Sequence, residues 1–359
     1  MLIVRSPVRI SFGGGGTDMP SYYRRHGGAV VSAAINKYFY TIVTKRTDDK
    51  VQVISSDLRV IETWKDITQM HVNDGELSLP LAVMKELDIG TPLNLFLASE
   101  IPPGTGLGSS ASVCVAILNA LTTYQHLPLG RYQLAEKAFN IARNVLGMPV
   151  GKQDEYAAAF GGLNYISFHK DDTATVEPVS IPQETLRELQ GNLMLFFTGV
   201  SHNSWSILKS QDESSNQNRG GAIDLLHEIR ELAKDMHEAL LAGNLRKFGS
   251  QLNQGWQAKR KISDKISNSR IDSLYELARA SGASGGKITG AGGGGFLLLY
   301  CEKDAQQQVR AALAKEGLRE MNFEFDFQGA QVVVNDPFLD EDHRCGLRWS
   351  FIPYAEQTV

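Results

Sequence analysis

Cysteine is scarce in this sequence. Cys114, Cys301 and Cys345 are its three cysteines, and none is spaced from another like the paired ligands of a zinc site. Because the number is odd and two of the three stand inside apolar runs, we expect reduced, buried thiols at Cys114 and Cys301. The cysteine content therefore argues against a disulfide framework.

Long hydrophobic runs are also missing. The longest apolar stretches, such as 296–301, are far shorter than a membrane-spanning helix. Residues 1–9 show no apolar segment followed by a cleavage site, so they do not resemble a secretion signal. We expect a cytoplasmic protein that has no membrane partner.

Charge of neither sign dominates. The chain has 36 Lys and Arg against 40 Asp and Glu, a formal net charge of −4, and no long basic run. Nucleic acid is therefore not an expected partner.

The chain length and the order of patterns predict two lobes. At 359 residues the chain exceeds what one hydrophobic core usually supports. Strand-like segments such as 29–44 alternate with amphipathic helical segments such as 109–124, which predicts an α+β fold of mostly antiparallel sheets with helices. The polar stretch 171–183 places a boundary near residue 185. We predict an N-terminal lobe 1–185, a C-terminal lobe 186–340, a cleft between them that holds the active site, and a tail 341–359.

The 34 glycines are clustered rather than scattered. Each glycine costs extra backbone entropy on folding, so a cluster indicates a tight turn or a close approach of backbone to a ligand. The clusters adjoin periodic apolar segments rather than Ser/Pro-rich tracts, which argues against flexible linkers. The main groups are 13–16, 104–108, 161–162, 285–286 and 290–295.

The segment Ile101–Ser112, IPPGTGLGSSAS, is the most specific pattern. Glycines alternate before two serines that begin a helix, so free backbone N–H groups and the positive helix end face one point. This arrangement predicts an anion site for phosphate groups, and the hydroxyls of Ser109 and Ser110 can each add a hydrogen bond or a ligand for Mg²⁺. The alternative is a simple turn in which Ser109 only caps the helix. The predicted phosphate-binding residues are Pro103, Gly104, Gly106, Leu107, Gly108, Ser109 and Ser110.

Two common nucleotide motifs do not fit the sequence. A Walker A loop ends in Gly-Lys-Ser/Thr, whereas Gly286-Lys287 is followed by Ile288. A dinucleotide fingerprint needs its third glycine where Ser109 stands. A P-loop enzyme and a Rossmann-type dehydrogenase are therefore not expected.

Three further loops carry candidate chemistry. Ser6–Asp18 combines Arg9 with four glycines and Asp18, whose carboxylate suits a sugar hydroxyl but could instead cap the following helix. Gly151–Gly162 places Asp154 between a loop and a helix of small residues, where it could be a general base, a metal ligand or a cap. Lys287–Phe296 has five glycines before a strand.

Together and in this order, the segments resemble the GHMP family of small-molecule kinases from Val4 to about Tyr300. The resemblance implies a two-lobed fold with a left-handed βαβ crossover, ATP and Mg²⁺ as cofactors, and phosphorylation of a hydroxyl. Asp154 matches the family's catalytic aspartate and Arg9 its basic partner. Asp18, Gly15 and Thr17, with Gly292, Gly293 and Lys259, match the substrate side.

Within the family, segments 13–38, 151–162 and 266–276 look like the kinases of D-glycero-D-manno-heptose 7-phosphate. The resemblance implies ATP and a phosphorylated sugar as partners. It also implies transfer to the anomeric hydroxyl, giving a 1,7-bisphosphate that feeds GDP-heptose for capsule or lipopolysaccharide. Candidates for contacting the sugar's phosphate are Arg24, Arg25, Lys259, Arg260 and Lys261.

Two positions depart from the family pattern. Ala142 stands where many members have a Mg²⁺-binding glutamate, and His202 stands where relatives often have arginine. Other acceptors, such as galactose, fucose or mevalonate, stay open, as does a non-catalytic regulator that binds nucleotide or sugar. A monomer and a homo-oligomer are both compatible with the sequence.

Overall fold

The computed structural model describes residues 1–65, 67–69, 72, 75–199, 204–218 and 221–336. The predicted tail 341–359 and the departure at His202 lie outside these residues. No helix in the described part is long and apolar enough to span a bilayer.

The described strands and helices follow one another along the whole chain. The strands are β1 (Leu2–Gly13), β2 (Gly28–Lys45), β3 (Val51–Ser55), β4 (Val60–Trp64), β5 (Leu93–Ser99), β6 (Leu163–Phe168), β7 (Ala174–Pro178), β8 (Leu193–Phe197), β9 (Gly285–Ile288), β10 (Phe296–Tyr300), β11 (Arg319–Glu320) and β12 (Gln331–Asn335). The helices are α1 (Pro20–His26), α2 (Ser78–Glu86), α3 (Ser109–Tyr124), α4 (Arg131–Asn140), α5 (Gln153–Phe160), α6 (Gln183–Asn192), α7 (Ser204–Gln217), α8 (Ala222–Leu241), α9 (Leu245–Lys259), α10 (Ser269–Ala280) and α11 (Gln306–Lys315). A 3₁₀ turn lies at Ile67–Gln69, and a π-helical turn, Ile141–Val145, continues α4.

The first sheet is built around β1 and β2. Its order is β12-β1-β2-β5-β3-β4, and β6 pairs with β2 and β7. The pairing is antiparallel except between β3 and β5. The register of β1 against β2 shifts between Pro7 and Val8, where a proline with no N–H interrupts the ladder. Arg9 follows this irregularity.

The second sheet is smaller and entirely antiparallel, in the order β11-β8-β10-β9. Its central strand β10, FLLLY, is buried along its whole length, with helices on the sheet. The apolar core behind it is shared with the first half of the chain. Val8, Ile10 and Phe12 of β1 belong to the same buried cluster as Leu298 of β10 and Phe248 of α9.

The predicted α+β class and the mostly antiparallel sheets are confirmed. The strands and helices that were not predicted are β4, β7, β9, β11, α2, α6 and α7. The polar stretch 171–183 contains β7, and the helical region that includes residues 131–145 is divided into α4 and the π-helical turn. Near its described end the chain returns to the first sheet, where β12 pairs with β1. The lobe boundaries stay predictions. Cys114 and Cys301 are buried and unpaired with each other, as expected.

Candidate active site

A cavity of about 450 Å³ lies where the glycine-rich loops meet. Its volume is in the range typical of small-molecule sites. Residues 103–110 form one wall, with Arg9 and Asp154 beside them. Lys259, Gly290 and Ala291 contribute from the second half of the chain.

The segment 103–108 forms a left-handed turn that leads from β5 into α3. Gly104, Gly106 and Gly108 have φ values of 74°, 80° and 77°, a conformation that residues with a Cβ rarely adopt. Gly108 is the N-cap of α3, so Ser109 is not its cap. Ser110 is exposed to the cavity, and Ser109 Oγ is buried without a hydrogen-bond partner among the described residues. Backbone N–H groups at a helix start form a site for an anion.

This turn is interlocked with the loop 289–295. A Cβ added to Gly106 would lie 2.4 Å from the Thr289 carbonyl oxygen, and one added to Gly290 would lie 2.5 Å from Gly106 Cα. Thr289 Oγ1 donates to the Thr105 carbonyl at 3.2 Å. The two glycine clusters therefore touch backbone to backbone, which side chains larger than glycine would prevent.

Arg9 and Asp154 form a charged pair beside the turn. Arg9 Nε donates to Asp154 Oδ1 at 2.7 Å, and Arg9 Nη1 donates to the Gly106 carbonyl at 2.8 Å. The Arg9 backbone N–H also donates to the Leu107 carbonyl at 2.9 Å. Arg9 is buried, whereas the Asp154 side chain is 26% exposed and lines the cavity. A carboxylate held in this way can orient a hydroxyl and accept its proton.

Asp154 packs closely against Gly108. A Cβ added to Gly108 would lie 3.2 Å from the Asp154 carboxyl. Asp154 lies in the first turn of α5, whose N-cap is Lys152, so Asp154 does not cap this helix. The helix start favours a negative charge there.

The Asp18 side chain connects its own loop to the start of α5. Its carboxylate accepts hydrogen bonds from Gly16 N at 2.8 Å and from Gln153 N at 3.2 Å. The N-cap of α1 is Met19 without a side-chain hydrogen bond, so Asp18 does not cap α1. Burial, and next the nearby Asp154 carboxylate, raise the pKa of Asp18. The side chain is almost fully buried but lines the cavity.

One buried lysine, Lys259, lines the cavity, and a second buried lysine, Lys287, lies close to it. Lys259 Nζ donates to the Gly290 carbonyl at 2.6 Å, and burial lowers the pKa of Lys259 to about 8 despite the nearby Asp18 carboxylate. Burial, and next the positive charge of Lys259, lower the pKa of Lys287 well below its ordinary value. Of the five basic residues proposed for the sugar phosphate, Lys259 alone lines the cavity. Arg24 pairs with Asp172 and Arg260 with Asp272, while Arg25 and Lys261 are exposed.

Some predicted site residues lie behind the cavity wall. Thr17 Oγ1 is buried and donates to the carbonyls of Gly14 and Ala29, which fixes the loop. Leu107 is part of the apolar core. Gly292 and Gly293 contact Ile266 rather than the cavity.

Gly15 lies against two side chains that do line the cavity. A Cβ added there would be 3.5 Å from Gln153 Nε2 and 3.7 Å from Lys259 Nζ. Pro103, Gly104, Gly106, Gly108, Ser109 and Ser110 are all in the lining.

Several polar residues of the lining were not predicted from the sequence, among them Gln153, Glu155 and Gln211. Each of these three has a buried side-chain atom with no hydrogen-bond partner among the described residues: Gln153 Oε1, Glu155 Oε2 and Gln211 Nε2. Burial, and next the Asp154 carboxylate, raise the pKa of Glu155 well above its ordinary value. Gln153 and Glu155 flank Asp154 in the sequence, so their position was a signal. Gln211 lies on α7, which no pattern indicated.

Two family models and several known proteins match this chain. Residues 78–162 match the model of the GHMP kinases N-terminal domain, and residues 236–319 match that of the GHMP kinases C-terminal domain. The chain is 30% identical over 332 residues to D-glycero-alpha-D-manno-heptose 7-phosphate kinase of Campylobacter jejuni, which covers 91% of this chain and 97% of that relative.

Solved structures of related kinases have the same fold. A D-glycero-D-manno-heptose 1-phosphate kinase from Bacteroides thetaiotaomicron superimposes with a TM-score of 0.79 at 28% identity, over 94% of this chain and 100% of the other. A galactokinase of Lactococcus lactis, solved with galactose, has a TM-score of 0.73 at 22% identity, over 92% and 94% of the two chains, and shows the fold alone.

Proposed function

Because this chain belongs to the GHMP kinase family of ATP-dependent phosphotransferases, we propose that it phosphorylates the anomeric hydroxyl of D-glycero-D-manno-heptose 7-phosphate. The observation that carries the proposal is the position of Asp154. This carboxylate is held by Arg9 against the glycine turn on one side and lies close to Asp18 on the other. The product is the heptose 1,7-bisphosphate.

Phosphoryl transfer requires positioning and charge neutralisation more than covalent chemistry by the protein. The acceptor oxygen forms a bond to the γ-phosphorus while the bond from that phosphorus to the β–γ bridging oxygen breaks, and ADP leaves. Asp154 accepts the proton of the acceptor hydroxyl. Arg9 orients Asp154 and offsets negative charge near Gly106.

The nucleotide would occupy the part of the cavity next to the turn 103–110. The backbone N–H groups at the start of α3 bind its phosphates. Beyond them the wall is apolar and suits the adenine ring. This apolar part is lined by Phe39, Leu58, Leu79, Leu97 and Val113.

The acceptor would occupy the opposite part, where polar groups converge. Asp18 and Gln153 Oε1 accept hydrogen bonds from sugar hydroxyls, and Gln211 Nε2 donates one to a hydroxyl oxygen. The Lys259 ammonium binds the phosphate of the sugar. These four residues explain why a phosphorylated polyol suits the site.

The donor set also fits Mg²⁺, which the family's chemistry implies. The described residues contain no group of three or more His, Cys, Asp or Glu side chains suited to a metal ion, but Mg²⁺ is usually bound by one or two carboxylates together with substrate phosphates. Ser110, exposed in the cavity, and the unpartnered Ser109 Oγ supply oxygen atoms beside the phosphate turn. When bound there, Mg²⁺ neutralises charge on the ATP phosphates.

An acceptor panel tests the proposal. ADP release is measured with heptose 7-phosphate, heptose 1-phosphate, galactose, fucose and mevalonate, at matched concentrations with saturating ATP. We expect the highest kcat/KM with heptose 7-phosphate and a product whose new phosphate is on the anomeric carbon by ³¹P nuclear magnetic resonance. A higher kcat/KM for another acceptor would reassign the substrate, and no ADP release with any of them would favour a binding regulator.

A further inference from the structure

Glu155 is a buried carboxyl group for which the phosphoryl-transfer mechanism has no use. It follows Asp154 in the first turn of α5 and is 2% exposed. Its Oε2 atom has no hydrogen-bond partner among the described residues, yet the side chain lines the cavity together with Ser109 and Ser110. Buried polar atoms of folded proteins are nearly always satisfied.

The nearby cations are engaged elsewhere. Arg9 donates to Asp154 and to the Gly106 carbonyl, and Lys259 donates to the Gly290 carbonyl. Neither donates a hydrogen bond to Glu155. An ionised carboxylate in such a place is costly unless a positive charge joins it.

We propose that Glu155 is the protein's carboxylate ligand for the divalent cation that accompanies ATP. Mg²⁺ takes oxygen ligands and is commonly held by one or two carboxylates plus the phosphates of the nucleotide. Glu155 shares the cavity wall with the two serines that begin α3, where the phosphates are expected. Asp154 is already paired with Arg9, and Ala142 offers only a methyl group. The inference rests on the ATP dependence of the family and not on the identity of the acceptor.

Mn²⁺ serves as the probe, because its binding can be measured without turnover or acceptor. The enzyme is saturated with a non-hydrolysable ATP analogue, and Mn²⁺ is titrated while free Mn²⁺ is followed by electron paramagnetic resonance. Glu155→Gln keeps the shape of the side chain and removes its charge. Glu76→Gln is the matched control, because Glu76 lines the same cavity but is exposed.

We expect Glu155→Gln to weaken Mn²⁺ binding to the nucleotide complex by at least about 10-fold, the loss typical of disturbed metal sites. The control should bind Mn²⁺ like the parent, and both variants should bind the analogue equally without metal. Parental Mn²⁺ affinity in Glu155→Gln would overturn the proposal. An equal loss in Glu76→Gln would also overturn it, because the effect would then be one of net charge.

A measurement on the unmodified chain covers the case in which Glu155→Gln does not fold. Protein labelled with ¹³C at its glutamate carboxyls is loaded with Mn²⁺ and the analogue. The hyperfine coupling between Mn²⁺ and the labelled carbons is then measured by electron-nuclear double resonance. We expect the coupling of a carboxylate carbon whose oxygen binds Mn²⁺ directly, and we expect the same coupling in Glu76→Gln. No such coupling would overturn the proposal. Because no acceptor is present, either result is independent of the acceptor panel.

Discussion

Asp154 is the residue on which the proposed mechanism depends most. We predict that Asp154→Asn lowers kcat by at least about 10²-fold, because an amide cannot accept the proton of the acceptor hydroxyl. ATP affinity should change little, since the hydrogen bond of the Asp154 carboxylate comes from Arg9 and not from a backbone N–H of the turn. Steady-state kinetics and calorimetric titration of ATP check both parts. A variant that turns over at a near-parental rate would remove Asp154 from the mechanism.

The proposed contact between Lys259 and the phosphate of the acceptor predicts that acceptor binding depends on pH. Because burial lowers the pKa of Lys259 to about 8, the fraction carrying the ammonium charge falls as the pH rises through that value. We predict that kcat/KM for a phosphorylated acceptor falls over the same range. Lys259→Met should lose this fall, whereas the exposed neighbour variant Lys261→Met should keep it. A pH profile of Lys259→Met that matches the parental one would assign the phosphate to another residue.

The contact between the two glycine clusters can be tested at the scale of the loops. Alanine at Gly106 meets the Thr289 carbonyl at 2.4 Å, whereas Gly147 has a similar positive φ of 65° and no neighbouring atom within 4 Å. Both substitutions carry the strain of a left-handed residue, roughly 1–2 kcal/mol. We predict that Gly106→Ala loses more stability than Gly147→Ala and also binds ATP more weakly.

Denaturant unfolding and ATP titration of the folded fraction provide the two measurements. Equal losses of stability and ATP affinity in the two variants would mean that the strain of a positive φ accounts for the whole effect. In that case the contact with Thr289 would have no energetic role.

Helices with a clear apolar stripe could be predicted from the sequence, and the others could not. The limits of α3 and α9 follow from apolar residues at helical spacing. In α7, SWSILKSQDESSNQ, most residues are polar, so no stripe marks it. Gln211 of the cavity lining was missed for the same reason.

Candidate site residues could be predicted where the pattern that indicates them lies within one short segment of the sequence. Arg9 and Asp154 are 145 residues apart, and only the family resemblance connected them. The helix-cap interpretation of Asp18 failed because its carboxylate accepts from Gln153 N, 135 residues away. Local patterns carry no information on such partners, since tertiary packing decides them.

At the scale of the whole molecule, the shared core should make the two sheets unfold together. Leu298 of the second sheet is fully buried in the cluster that contains Val8 and Phe12 of the first. We predict that Leu298→Ala costs about 2–5 kcal/mol and leaves a single unfolding transition. Leu241→Ala, at a half-exposed position of α8, should cost no more than about 0.5 kcal/mol. Circular dichroism and tryptophan fluorescence should give coincident curves, and two separate transitions would contradict the prediction.

The backbone contact between Gly106 and Gly290 also sets how early during synthesis the nucleotide site can be completed. One wall of the phosphate site is translated early, but Thr289, which donates a hydrogen bond to the Thr105 carbonyl, is translated 184 residues after Thr105. At about 5–20 residues per second, a ribosome needs on the order of ten to forty seconds to cover that interval. During this time the nascent chain has no complete nucleotide site. We therefore expect that a ribosome-bound chain that stops before Thr289 is not retained on immobilised ATP.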